Sequence, residues 1–135
     1  MITKHQMFEP MLSACPSFEP TWREFAQDAE RSPNEDPLYY VLLGDLARHL
    51  LALQAAGSTD ELPAVFEVVE RWHTEGDDYV KEAATIGLLE GIQNNASHRD
   101  FDTGVFETWL KPETKKWWLK LNRYWDGDIE ALRND

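Results

Sequence analysis

Three consecutive stretches of this chain each open on a residue that caps a helix and close on one that stops it, which leaves little room for strands. Asp36-Pro37 reads as an N-cap followed by proline at the first helical position, where the missing N–H is no loss. From there Leu38, Val41, Leu42, Leu46, Leu50 and Leu53 fall at helical spacing until Gly57 ends the run. Ser58-Thr59-Asp60-Glu61 follows at once as a capping box, in which serine and glutamate satisfy each other's free N–H groups. Leu62, Val65, Phe66, Val69 and Trp72 then make an inward face that stops at Gly76. Asp77 caps a third helix carrying Val80, Ala83, Ala84, Gly87, Leu88 and Ile92. The expected central helices are thus about 37–56, 59–75 and 78–94.

The flanks follow the same logic. Ser17 to Arg31 carries Phe18, Trp22, Phe25, Ala26 and Ala29 on one broad face, and Pro20 is tolerated in a first turn. Lys4 to Ala14 supplies Met7, Phe8, Met11 and Leu12 for a short helix, and Val105 to Leu110 suits a turn or two. Pro112 opens the last helix, about 112–126, with Trp117, Trp118, Leu121, Tyr124 and Trp125 and a stop at Gly127. The expected fold is all-α: one compact domain over residues 1–135, a bundle of about six helices. The short links at Gly57 and Gly76 favour antiparallel neighbours. Ala83, Gly87 and Gly91, spaced by four, make a smooth ridge for close helix contact. Residues 67–92 resemble one HEAT-type helical pair, and no second copy appears at the period an array requires.

Charge narrows the function classes. Twenty-five Asp and Glu stand against thirteen Lys and Arg, a net charge of −12. Direct nucleic-acid binding needs a basic face, and docking on anionic lipid needs a polybasic one. The first ten residues have no secretory pattern, and no apolar run reaches the roughly 18 residues of a membrane span. Cys15 has no partner cysteine, which fits a reducing cytoplasm. A cytoplasmic protein is expected.

Candidate chemistry is thin. None of the local signatures of cysteine enzymes surrounds Cys15, so a buried or incidental thiol is expected. Asp45 and His49 lie four apart on one helix face, as half of a metal site or as a hydrogen-bonded structural pair. The latter is favoured. His73 to Asp78 gathers an imidazole and carboxylates at a turn, but Gly76 and Asp77 already serve there as stop and cap. Asp126-Gly127-Asp128 lacks the frame of a calcium loop. No HExxH, phosphate-binding glycine loop or GxSxG occurs. The expectation is no enzyme, no cofactor and no metal.

Protein binding is the class that remains. Residues 58–76 carry five acids and one base, and residues 77–100 five and two, so most of the excess charge sits in the middle of the chain. Glu67, Glu70 and Glu75, off the apolar stripe, together with Asp77, Asp78 and Glu82 around the next turn, form a candidate acidic surface. Trp117 and Trp118 point about 100° apart on a helix. Trp109, Trp118 or Trp125 is therefore expected to be partly exposed, and Trp118 is taken as a candidate contact residue.

Pro16-Ser17-Phe18-Glu19-Pro20, Leu43-Gly44-Asp45-Leu46-Ala47-Arg48-His49-Leu50, the stretch from Glu82 to Gly91, and Trp117-Trp118 resemble a family of small acidic, all-helical bacterial proteins. That family has no assigned function and is often encoded near polymorphic toxins, as immunity proteins are. The resemblance implies an antitoxin that neutralises a basic toxin domain by covering its active surface. It supplies no catalytic residues. The alternatives are a helical scaffold or adaptor for an ordinary cellular partner and, behind it, a metal-dependent hydrolase using Asp45, His49 and His73.

Overall fold

A computed structural model describes residues 1–97, 102–127 and 132. Seven α-helical segments run in chain order: α1 (Phe8–Ala14), α2 (Glu19–Arg31), α3 (Tyr39–Ala55), α4 (Leu62–Glu75), α5 (Asp78–Glu82), α6 (Glu90–Ser97) and α7 (Pro112–Trp125). A π-helical stretch, Ala83–Leu89, joins α5 to α6, and 3-10 turns at Pro16–Phe18 and Thr103–Thr108 precede α2 and α7. The fold is all-α, and among the described residues no strand forms. One isolated bridge pairs Ile2 with Gly76.

The stop signals act as the residue types dictate. Gly57 adopts a φ of +74°, the left-handed conformation in which a side chain would be strained. The Ser58 N–H reaches back to the Leu53 carbonyl and the Gly57 N–H to that of Gln54, so the end of α3 is a Schellman motif. Asp77 caps α5 by accepting the Val80 N–H at 2.9 Å. Two expected caps do not form. The chain passes Asp36-Pro37 and makes a tight turn at Leu38, with the Tyr39 N–H on the Pro37 carbonyl, before α3 begins. Ring contacts explain the delay: Tyr39 sits 5.6 Å from Phe8 and 5.7 Å from Phe25, and these fix where the helix can enter the core. The Ser58–Glu61 box is also absent, because Glu61 bonds the segment before α2 instead.

Helix α3 is the centre of the bundle. Leu42, Leu43, Leu46, Ala47, Leu50 and Leu51 are buried around it, while Trp72, Trp118, Phe18, Phe66, Phe106, Met7 and Met11 fill the largest core volumes. Helix α4 packs between α1 and α7, and the Trp72 indole N–H donates to the Met7 carbonyl at 3.0 Å. The continuous helix 78–97 meets α4 near their shared turn and lies against α3 along most of its remaining length.

The small-residue ridge makes that approach possible. A Cβ on Gly87 would stand 2.6 Å from Leu43 Cδ1, and one on Gly91 would stand 3.2 Å from the Ala47 Cβ. In the π stretch the Glu90 N–H bonds the Thr85 carbonyl five residues back, which widens the turn beside α3. Gly87→Leu should destabilise the protein by about 2 kcal/mol, overpacking outweighing the roughly 1 kcal/mol of helix propensity gained. A thermal melt should show Tm about 7 °C lower. An unchanged Tm would mean that the two helices are not in this contact.

Candidate functional site

The expected acidic surface is divided among separate tasks. Glu70 faces inward and accepts the backbone N–H groups of Glu113 (3.1 Å) and Thr114 (2.8 Å) and the Thr114 hydroxyl (2.9 Å). It therefore caps α7 from a neighbouring helix and is not a free surface charge. Burial opposes its ionisation, but these donors outweigh burial and hold the carboxyl below its ordinary range. Glu75 is paired with Arg71, and Asp77 is a cap. Glu67 is exposed. Asp78 and Glu82 border a cleft of about 510 Å³ that Lys81, Glu113, Lys116 and Trp117 also line, so charge there is mixed.

Trp118 is fully buried, contrary to the expected exposure. Residues 114, 118 and 121 form the inner line of α7, and the Trp118 ring lies 6.3 Å from that of Phe106. The adjacent Trp117 is half-buried, with Lys120 Nζ 4.3 Å and Lys116 Nζ 5.6 Å from its ring centroid. Trp125 is the exposed tryptophan, at 49%, and its indole N–H donates to Gln93 Oε1. Trp109 is half-buried on Gln54 Oε1.

The residues named for a hydrolase do not meet. Asp45 is paired with Arg48, three residues on, and His49 Nε2 bonds the Ser17 hydroxyl at 2.7 Å. His73 is buried elsewhere, at the floor of the mixed-charge cleft. Its Nδ1 contacts the Val69 carbonyl (3.1 Å) and Thr114 Oγ1 (3.0 Å), and its Nε2 contacts Thr85 Oγ1 (3.0 Å). Burial pushes the His73 imidazole down to about 4, so it is neutral at ordinary pH.

What the fold exposes is a groove between α2 and α3. Helix α2 is amphipathic yet buries none of its residues fully, and Trp22 and Phe25 are only half-covered. Opposite them Leu38 is 68% exposed and Val41 58%. Two depressions, about 280 and 560 Å³, share Phe25, Asp28 and Val41 and so form one trough. Glu24, Asp28, Glu35, Asp36 and Asp45 border it. Arg48, the arginine among the lining residues, is already paired with Asp45. An aliphatic strip with a carboxylate rim suits an apolar segment flanked by cations.

At one end of this trough lies a polar cluster that the residue spacing did not show. Glu61, just before α4, accepts the Ser17 N–H (3.1 Å), the Ser17 hydroxyl and the Cys15 thiol (3.5 Å). Burial pushes the Cys15 thiol up to about 11 and lowers the His49 imidazole. Glu61 stays below its ordinary range: burial acts against ionisation, and the bonds from Ser17 and Cys15 overcome it.

Fold and surface together define an all-α bundle with an acid-rimmed apolar groove. The chain belongs to the family described as a domain of unknown function, DUF7674, whose model matches residues 8–126. No curated protein and no solved structure matches the chain. Among the described residues no helix is long and apolar enough to cross a membrane.

Proposed function

We propose that this protein is an immunity-type binding protein that neutralises a basic toxin domain in the cytoplasm by covering its active surface. The observation that carries the reading is the α2–α3 groove, where Leu38 and Val41 stand exposed inside a rim of five carboxylates. Exposed aliphatic side chains cost little in the free protein and stabilise a complex once a partner covers them, by roughly 1.5–3 kcal/mol for each fully buried side chain. The carboxylates add little to affinity through solvent, but they draw a cationic partner in and reject an acidic one. The net charge of −12 extends that attraction beyond the groove. A reading in which charge does the steering and the aliphatic pair does the holding separates the two effects experimentally.

The test is co-expression with the product of the adjacent open reading frame. The expected result is a purified complex and rescue from toxicity. Leu38→Asp combined with Val41→Asp should weaken that complex at least about 100-fold, while Tm moves by no more than about 3 °C, because both positions are on the surface. The association rate, not the dissociation rate, should fall about tenfold between low and high salt. A neighbour that is harmless and forms no complex would end the proposal. A complex indifferent to Leu38→Asp and Val41→Asp would move its interface away from this groove.

A further inference from the structure

We propose that Cys15, His49 and Glu61 form a site for a single zinc ion. One ligand atom from each, the thiol sulfur, an imidazole nitrogen and a carboxylate oxygen, lie within 4.8 Å of one another. The three come from separate elements: the turn after α1, the middle of α3 and the residue before α4. Sulfur, nitrogen and anionic oxygen together are a donor set for zinc, whereas calcium and magnesium take oxygen alone. One ligand pair already has the spacing: Cys15 Sγ and Glu61 Oε1 are 3.5 Å apart, and tetrahedral zinc with bonds of about 2.3 Å to sulfur and 2.0–2.2 Å to oxygen separates two such ligands by about 3.5–3.7 Å.

Ser17 occupies the middle of this triangle. Its hydroxyl is 2.7 Å from His49 Nε2 and 3.6 Å from Cys15 Sγ, and it also bonds Glu61. In the metal-free protein it gives the three donors a common partner. Ser17 is exposed, so rotation about χ1 moves its hydroxyl out of the centre and leaves the fourth position to a water. On binding, the Cys15 S–H bond breaks, its proton leaves to solvent and the sulfur lone pair is donated to zinc, with no change of oxidation state. A tether between the α2 and α4 segments needs only Ser17 and Glu61. The thiol and imidazole aimed at the same point are what the zinc site explains.

The inference is independent of the toxin partner and is tested on the purified, chelator-treated chain alone. Cobalt(II) added as a spectroscopic probe should give a sulfur-to-cobalt charge-transfer band, which zinc then abolishes at one equivalent. The chain has one cysteine, so that band reports Cys15 without any variant. Zinc should raise Tm by roughly 5–10 °C. Cys15→Ser should lower zinc affinity at least 100-fold and remove the band, and Ser17→Ala should retain both. Absence of the band in the wild-type chain overturns the proposal, as does zinc binding of equal strength in Cys15→Ser.

Discussion

Trp118→Ala should lower stability by about 3–5 kcal/mol, the range for deleting a buried tryptophan, and Tm by about 10–18 °C. The indole is completely enclosed and packs on Phe106, so its removal leaves a cavity that α7 cannot close without losing the Glu70 cap at Thr114. Trp125→Ala, on the same helix, should cost about 1 kcal/mol, since half of that side chain is already in water. The comparison separates two roles for an aromatic-rich helix. If Trp118 were a contact residue, its loss would reduce partner binding and leave the melt alone. Chemical denaturation of the two variants side by side decides the matter, and equal effects would contradict the burial of Trp118.

The second large effect is a dependence on pH carried by His73. In the unfolded chain this imidazole has its ordinary pKa of 6.5, and in the fold it is pushed down to about 4. Below pH 6.5 the unfolded state therefore takes up a proton that the folded state refuses. Stability is complete above pH 6.5 and falls as pH drops, by about 2 kcal/mol at pH 5 and about 3 kcal/mol by pH 4. The carboxylates of Glu70 and Glu113 face the ring and moderate the loss without cancelling it. His49 is shifted in the same direction and adds slope of its own. The quantity to measure is thus the difference between the wild-type chain and His73→Gln in urea melts at pH 7.5 and 5.0. The variant should lose about 2 kcal/mol less over that interval. Parallel slopes would show that His73 accepts a proton in the folded state.

The helices were legible in the sequence because apolar spacing and glycine stops are local. Gly57, Gly76 and Asp77 end and start helices where their residue types say they should. What was not legible depends on contacts across the chain. Asp36 and the Ser58–Glu61 box carry good capping chemistry, yet Tyr39 stacking and the Ser17 bonds to Glu61 prevail over it. Glu70 has the sequence of an exposed acid and the position of a cap for a helix more than forty residues away. Trp117 and Trp118 do diverge as adjacent helical residues must, but the inner member was the one expected outside. One signal for the groove was present. Leu38 and Val41 share a helical line with Asp45 and Arg48, and charges on that line mark a face turned away from the core, whereas Leu42, Leu46 and Leu50 lie on an all-apolar one.

The bridge between Ile2 and Gly76 bears on how the chain acquires its fold during synthesis. The Ile2 N–H and carbonyl pair with Glu75 and Asp77, and the Met7 carbonyl receives the Trp72 indole 65 residues later. At roughly 5–20 residues per second, a ribosome makes Met7 about 3–13 s before Trp72. Throughout that interval Met7, Phe8 and Met11 lack the wall they pack against. This segment can settle only after residues some 65 positions later have been made, and nascent chains halted before residue 72 should display it to chaperones.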